Sequence, residues 1–318
     1  MDLQLEELQS LSAADVLRES VAVPRAAPRT FAALTLALVF PFSFAVLAHS
    51  LFTHPLLLHL RHNPSSAAAD WILLLLYLFL YLLFLFTFSL LSTAAVVFTV
   101  ASLYAAKPVS FASSLSAVRP IFPRLFRTFL WVALLMLVYN LALVLALLPL
   151  LLAPSSPLVI ILIALVLLVF LAAHVYISAL WHLASVVSVL EPLCGLAAMA
   201  KSRDLLRGRV RMAAVLVVAY LTACGLVGII FRAVVVKGPR EEGSLGVTSV
   251  STKVLIGGAL VAVLVVVNLV GLLVQSVFYY VCKSYHHQQI DKSALYDHLG
   301  EYLGEYVPLK SSIQLENL

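Results

Sequence analysis

Six long apolar runs constrain the fold of this chain more than any other feature. A helix needs roughly 20 apolar residues to cross a bilayer core, and each run is long enough and is bounded by charged or Pro/Gly-containing segments. The runs occupy residues 30–52, 71–100, 126–152, 158–189, 211–232 and 254–281. Because 63% of the residues are hydrophobic and 11% are charged, against about 25% charged in soluble domains, the sequence predicts an all-α, polytopic membrane protein.

The apolar runs divide the chain into three parts. We expect a cytosolic N-terminal segment at residues 1–29, a transmembrane domain of six helices at 30–281 and a cytosolic tail at 282–318. The acidic N-terminal segment differs from the basic start of a secretory signal peptide, so the first run is predicted to be an uncleaved span. Apolar residues near one helical face of this segment predict an amphipathic surface helix. They are Leu5, Leu8, Leu11 and Val16.

Lysine and arginine are distributed unevenly between the two sides of the predicted spans. Of the 20 Lys and Arg residues, 15 lie on the side of the two termini and 5 on the other side. Because positive residues concentrate in cytoplasmic loops, both termini are predicted to face the cytosol, where the basic residues would contact anionic headgroups of the lipid bilayer. The chain has no folded basic domain for direct nucleic-acid binding. The endoplasmic reticulum or another secretory membrane is favoured, and the plasma membrane stays open.

Two of the predicted cytosolic loops resemble each other at an offset of 84 residues. "KPVSFASSLSAVRPIFPRLFR" (107–127) and "EPLCGLAAMAKSRDLLRGRVR" (191–211) share a proline and two arginines. The sequence therefore predicts three membrane hairpins, each followed by a short interfacial cytosolic helix, with a third, positional copy after the sixth span. Such repeats indicate simple duplication of a packing unit more strongly than a transporter, and both interpretations stay open.

Four polar side chains lie deep in the predicted spans, where the sequence places no Asp, Glu, Lys or Arg. They are Asn140, His174, Asn268 and Gln275. Charged residues within the hydrocarbon are the usual mark of an ion pathway. The four uncharged residues are interpreted either as helix-packing contacts, each contributing about 0.6 kcal/mol, or as the lining of a polar path for a solute.

The sequence contains no recognisable catalytic, metal or cofactor motif. Catalysis requires a nucleophile with a base, a carboxylate pair or a metal set in one site, and none is found at a recognisable spacing. A non-enzymatic protein without a cofactor is expected. The histidines of "HLRHNP" and "SYHHQQ" are interpreted as hydrated residues at the membrane boundary, with metal binding as the alternative.

Two further features concern modification and association. Cys282 follows the last apolar run and precedes Lys283, a position that suits palmitoylation as well as an unmodified boundary cysteine. Small residues in "GLVGIIF" and "GGALVAVLVVVNLVG" allow close helix approach, which would permit a homo-oligomer.

The tail segment "LGEYLGEYVPLK" (299–310) has two interpretations. Apolar residues at helical spacing, among them Leu299 and Tyr306, predict an amphipathic helix that Pro308 ends. Alternatively, the segment is a peptide that a partner protein binds. The residues of this second interpretation are Leu299, Glu305, Tyr306 and Pro308.

Over nearly its whole length the chain resembles a family of six-span plant membrane proteins. The resemblance lies in the N-terminal "EELQSL…RES", the first span "LTLALVFPFSFAVLAH" and the tail that begins "YYVCKSYHHQQ". The hairpin-plus-helix repeat is also similar to bacterial membrane domains found beside glycerophosphodiester phosphodiesterases. Since the phosphodiesterase barrel is missing, this second resemblance implies the fold alone.

Some members of the plant family are labelled as partners of poly(A)-binding protein. Tails that bind that protein carry a motif close to Leu-Asn-x-x-Ala-x-Glu-Phe-x-Pro, and the four tail residues named above match it, with Tyr306 in the phenylalanine position. Gly300 and Leu303 depart from it. The resemblance implies that the tail docks on poly(A)-binding protein through its leucine and aromatic anchors.

Two functional hypotheses follow from the sequence. The first is a non-enzymatic organiser of a secretory-pathway membrane, which acts through helix packing and the cytosolic tail peptide. The alternative is a transporter or channel for an uncharged or lipidic solute, which the repeats and the four deep polar residues suggest.

Overall fold

The computed structural model describes residues 11–62, 67–154, 156–237, 249–288, 299, 300 and 303. These residues form helices and connecting turns, without a β-strand among them. The helices are α1 (Ala13–Ala22), α2 (Pro28–Leu34), α3 (Phe40–His62), α4 (Ala67–Tyr104), α5 (Phe111–Leu152), α6 (Pro157–Leu190), α7 (Leu196–Leu206), α8 (Val210–Phe231) and α9 (Val250–Tyr285). A 3₁₀ turn at Val23–Ala26 precedes α2, and π-helical turns at Thr35–Val39 and Arg232–Val236 continue α2 and α8.

Six helical segments are long and apolar enough to cross a membrane, which confirms the predicted all-α fold of six spans. Span 1 is Pro28–Leu56, span 2 Trp71–Tyr104, span 3 Phe111–Leu152, span 4 Pro157–Leu190, span 5 Val210–Val236 and span 6 Val250–Tyr285. The short helix predicted between spans 2 and 3 is present as the first turns of the span 3 helix. The chain from Phe111 continues without a break into span 3, and Pro120 and Pro123 lie inside this helix.

The six spans form an inner and an outer set. Spans 2, 4 and 6 contact one another at the centre of the bundle. Span 1 packs between spans 2 and 6, span 3 between spans 2 and 4, and span 5 between spans 4 and 6. Each hairpin therefore contributes one outer span and then one inner span, and the three hairpins are arranged with approximate threefold symmetry.

The tightly packed core lies at one end of the bundle, where spans 2, 4 and 6 terminate. We call it the basic end, because the lysine- and arginine-rich loops lie there. Val97, Leu183 and Val281 are fully buried in this region, whereas Leu141 and Leu255, toward the opposite end, are exposed. Exposed leucine is the expected surface of a helix that contacts lipid. The main core thus lies nearer the basic end, and a smaller cluster of spans 1, 5 and 6, which includes Val227, Phe231 and Val261, packs toward the opposite end.

Three short helical elements surround the basic end, each just before an outer span. α1 packs on span 6, the first turns of α5 contact span 2, and α7 packs on span 4. Each element has a fully buried serine whose hydroxyl donates to the carbonyl four residues earlier. These bonds are Ser20 to Val16, Ser114 to Ser110 and Ser202 to Ala198. α1 thus occupies, before span 1, the place that the other two elements occupy before spans 3 and 5. The copy predicted after the sixth span lies mostly outside the described residues.

α1 differs from the surface helix that its amphipathic pattern predicts, because it is docked on the bundle. Val16 and Ser20 are fully buried, and Leu11 packs against the main core, while Leu5 and Leu8 lie outside the described residues. Ser12 and Asp15 form a capping box at the start of α1. The hydrogen bonds from the Ser12 hydroxyl and backbone N–H lower the pKa of the exposed Asp15 carboxyl, since they stabilise its charged form.

Candidate functional site

A cavity of about 650 Å³ lies within the bundle and is lined by residues of all six spans. Most of the lining is apolar, for example Phe42 of span 1, Met136 of span 3 and Val217 of span 5. The described lining contains no Asp, Glu, Lys or Arg. Leu17 of α1 also lines the cavity. Its walls are otherwise the six candidate membrane spans, and they suit an uncharged and mainly apolar molecule.

One face of span 4 places polar side chains along the cavity. His174, Ser178 and His182 follow one another at intervals of four residues, so they lie on the same side of the helix. His182 Nδ1 lies 3.0 Å from Oε1 of Gln275 on span 6. The imidazole of His182 also contacts the ring of Trp181 at 4.5 Å between centroids and the ring of Tyr220 at 5.8 Å. These contacts fix the histidine ring at the wall of the cavity.

A second polar group connects three spans. The Tyr220 hydroxyl of span 5 donates to Asn268 Oδ1 of span 6 at 2.9 Å, and Asn268 Nδ2 donates to Ser43 Oγ of span 1 at 2.8 Å. Ser43 in turn donates to the carbonyl of Val39. Because Asn268 is satisfied by protein groups on both sides of its amide, it serves to fix spans 1, 5 and 6 to one another.

Gly271 makes the position of Tyr220 possible. A Cβ atom at Gly271 would lie 2.9 Å from Cε2 of the Tyr220 ring, closer than two carbon atoms can approach. The glycine therefore lets the tyrosine ring lie directly against span 6, one turn from Asn268. This close approach positions the hydroxyl for its bond to the asparagine.

The structure brings together three of the four predicted deep polar residues. His174, Asn268 and Gln275 all line the cavity. Asn140 does not: its side chain is exposed on span 3, and its amide donates to the carbonyl of Met136 in its own helix. Asn268 and Gln275 both bond to other spans and both line the cavity, so helix packing and the lining of a polar path are combined in the same residues.

Several residues of the site were missed in the sequence. His182 lies in the same apolar run as His174 and could have been identified in the same way. Ser43 and Tyr220 carry no such signal in the sequence. The four-residue spacing of His174, Ser178 and His182 was a signal that identifies a shared helix face. No comparable signal could have paired Tyr220 with Asn268, because their contact joins two separate spans.

A charged cluster at the basic end was also missed. Glu191, which follows span 4, accepts a hydrogen bond from the Tyr279 hydroxyl at 2.6 Å, and its Oε1 lies 3.6 Å from Lys283 Nζ. Tyr279 and Lys283 both belong to span 6. The cluster therefore connects the ends of two inner spans.

Two of the residues predicted for modification and docking, Cys282 and Leu299, are buried in the structure. Cys282 is fully buried in the core, which argues against lipidation of its thiol in the folded protein. Leu299 is also fully buried and belongs to the main hydrophobic core. Glu305, Tyr306 and Pro308 lie outside the described residues. The first anchor of the predicted docking peptide is thus occupied by contacts within the protein.

The described part of the chain contains no candidate metal site, since no three His, Cys, Asp or Glu side chains come together there. The polar groups of the cavity are amides, hydroxyls, imidazoles and the indole of Trp181. Their chemistry is hydrogen bonding to a neutral molecule.

The fold and the cavity define a multi-pass, α-helical integral membrane protein with an uncharged intramembrane site. The chain belongs to the family described as Domain of unknown function (DUF8558), whose family model matches residues 1–318. Neither a curated protein nor a solved structure matches the chain.

Proposed function

We propose that the protein binds a neutral, mainly apolar lipid in its intramembrane cavity and acts as a carrier for such molecules. The observation that supports the proposal is the cavity itself, about 650 Å³ in volume, lined by all six spans and without a charged side chain in its described lining. Sites for small molecules typically have volumes of about 300–1,000 Å³, mostly apolar walls and a few polar groups that orient the ligand.

The position of the cavity favours a ligand that enters from the bilayer. Its walls are membrane-spanning helices, and an uncharged wall offers nothing to offset the cost of removing a charged headgroup from water. Molecules already dissolved in the hydrocarbon avoid that cost. The natural substrate class is therefore a neutral lipid.

This proposal favours the second of the two sequence-based hypotheses, a transporter for an uncharged or lipidic solute. The organising role was assigned to helix packing and to the tail peptide, and the burial of Leu299 removes one anchor of that peptide from the surface. We place the carrier in a secretory-pathway membrane with its basic end toward the cytosol, on the distribution of lysine and arginine. The proposal involves binding and movement of a lipid without covalent chemistry.

The test uses full-length protein in lipid nanodiscs and a hexadecane probe that carries a photoreactive diazirine. Saturable crosslinking to peptides that contain Met136 or Gly271, competed by unlabelled hexadecane, is expected. Val217→Phe should reduce this labelling at least fivefold, because Val217 lines the cavity and is 8% exposed.

Val215→Phe is the matched control, since Val215 lies on the same span, is 59% exposed and is absent from the described lining. It adds the same ring to the outer surface and should leave cavity labelling unchanged. The proposal would be overturned by labelling that never saturates. Labelling outside the cavity in the natural protein, Val217→Phe and Val215→Phe alike would also overturn it.

A further inference from the structure

Gln275 is a buried polar residue that the protein itself only half satisfies. It is 7% exposed, lines the cavity, and binds His182 Nδ1 through Oε1. Its amide nitrogen has no hydrogen-bond partner among the described residues, and the same holds for His182 Nε2. Neither atom is among the fully buried, unpartnered side-chain atoms of the described residues, so both are open to the cavity and indicate the polar end of a ligand.

The hydrogen-bonding character of the free groups follows from the bond within the pair. An amide oxygen only accepts, so His182 Nδ1 carries the hydrogen, and Nε2 of the neutral ring is an acceptor. The Gln275 amide nitrogen is a donor. If the amide is turned round, Gln275 donates to Nδ1, and the free groups become a donor on His182 and an acceptor on Gln275. Either arrangement presents one donor and one acceptor to the cavity.

We infer that the ligand is a neutral lipid whose polar end is a free hydroxyl group, bound by the His182–Gln275 pair. This inference rests on the proposed lipid-binding function. A hydroxyl donates one hydrogen bond and accepts others, so a single group satisfies both partners. An ether or ester oxygen satisfies only the donor, and a hydrocarbon satisfies neither.

The remaining lining agrees with this orientation. His182 is held by Trp181 and Tyr220, so it receives the hydroxyl in a fixed position, and apolar residues such as Met136, Val217 and Leu272 are available for the hydrocarbon body. A long-chain alcohol and a sterol share this chemistry and differ only in the shape of that body.

The experiment compares three photoreactive probes on the full-length protein in nanodiscs: hexadecanol, its methyl ether and hexadecane, each with the diazirine at the same chain position. The alcohol is expected to label the cavity peptides at a half-saturating concentration at least tenfold below those of the ether and the hydrocarbon. Gln275→Met keeps the side-chain volume and removes both polar atoms. It should raise the half-saturating concentration of the alcohol to that of the hydrocarbon.

Hexadecane labelling of the Gln275→Met protein shows that the cavity is still formed, so loss of the preference is not loss of folding. Equal binding of the three probes by the natural protein would overturn the hydroxyl assignment while leaving lipid binding intact. Absence of saturable labelling by every probe would instead overturn the proposed function. A tenfold preference that survives in Gln275→Met would overturn the assignment to this pair.

Competition with unlabelled cholesterol and unlabelled hexadecanol distinguishes the two kinds of hydrocarbon body. The stronger competitor identifies a ring-shaped or a chain-shaped ligand, and either result supports a hydroxyl-bearing lipid. If neither alcohol competes with the probe but unlabelled hexadecane does, the assignment of a hydroxyl-bearing lipid would be overturned.

Discussion

The hydroxyl of Tyr279 donates a hydrogen bond to Glu191 Oε1 at 2.6 Å, and this bond joins the ends of two inner spans. Lys283, one helical turn beyond Tyr279, lies 3.6 Å from the same carboxylate oxygen. The Glu191 and Lys283 side chains are only 16% and 22% exposed, so solvent screens their attraction less than that of a surface pair. The cluster holds spans 4 and 6 together where the core is most tightly packed.

Removal of Glu191 should therefore weaken the bundle. Glu191→Ala leaves the Tyr279 hydroxyl without its acceptor and leaves the Lys283 ammonium with the Tyr279 oxygen at 3.3 Å, and we expect about 1–3 kcal/mol of destabilisation. Thermal unfolding of the detergent-solubilised protein measures this change as a lower Tm. A double-mutant cycle with Lys283→Met isolates the ion pair, and simple additivity of the two changes would contradict an interaction between them.

Gly271→Ala should disturb the polar group that connects spans 1, 5 and 6. The new Cβ would lie 2.9 Å from the Tyr220 ring, so the tyrosine must move, and overpacking of this kind typically costs about 1–3 kcal/mol. The measurement is again thermal unfolding. Tyr220→Ala in the same protein should relieve the clash, so that the double variant is no less stable than Tyr220→Ala alone.

Gly258→Ala is the matched control for Gly271→Ala. It lies on the same helix, and nothing approaches its added Cβ within 4 Å. Because alanine is favoured over glycine within a helix by up to about 1 kcal/mol, Gly258→Ala should be neutral or stabilising. Equal destabilisation by both substitutions would show that the contact with Tyr220 is unimportant.

Cys282 should resist modification in the folded protein. Its side chain is fully buried, whereas Cys194 is half-buried, so a bulky maleimide should label a protein that retains only Cys194 faster than one that retains only Cys282. Both should react fully after denaturation in sodium dodecyl sulfate. Rapid labelling of Cys282 in the native protein, or a fatty acyl group released from it by hydroxylamine, would show that the thiol reaches the surface.

The membrane spans could be predicted from sequence because bilayer thickness sets a length requirement that composition alone reveals. The division into inner and outer spans could not, since both sets are apolar on all sides and lipid is as apolar as a protein core. Asn140 illustrates the limit. Its sequence context resembles that of Asn268, yet one residue faces outward and the other is bonded to two neighbouring spans, because helix rotation depends on contacts between distant segments.

The repeat was similarly visible only in part. Two loops share prolines and arginines, but the relation of α1 to those loops depends on buried serines and on the closing contact between α1 and span 6. These contacts connect α1, which precedes the first span, to the last span. A short sequence pattern does not reveal a contact between segments so far apart in the chain.

The burial of Leu299 separates the two interpretations of the tail. The side chain is 0% exposed and lies in the main core, so Leu299→Ala should lower the stability of the full-length protein by about 2–5 kcal/mol, as for other buried leucines. Thermal unfolding measures the loss, and a binding titration against the C-terminal domain of poly(A)-binding protein measures docking. A docking tail would give the opposite pattern, with unchanged Tm in Leu299→Ala and with binding that both Leu299→Ala and Tyr306→Ala abolish.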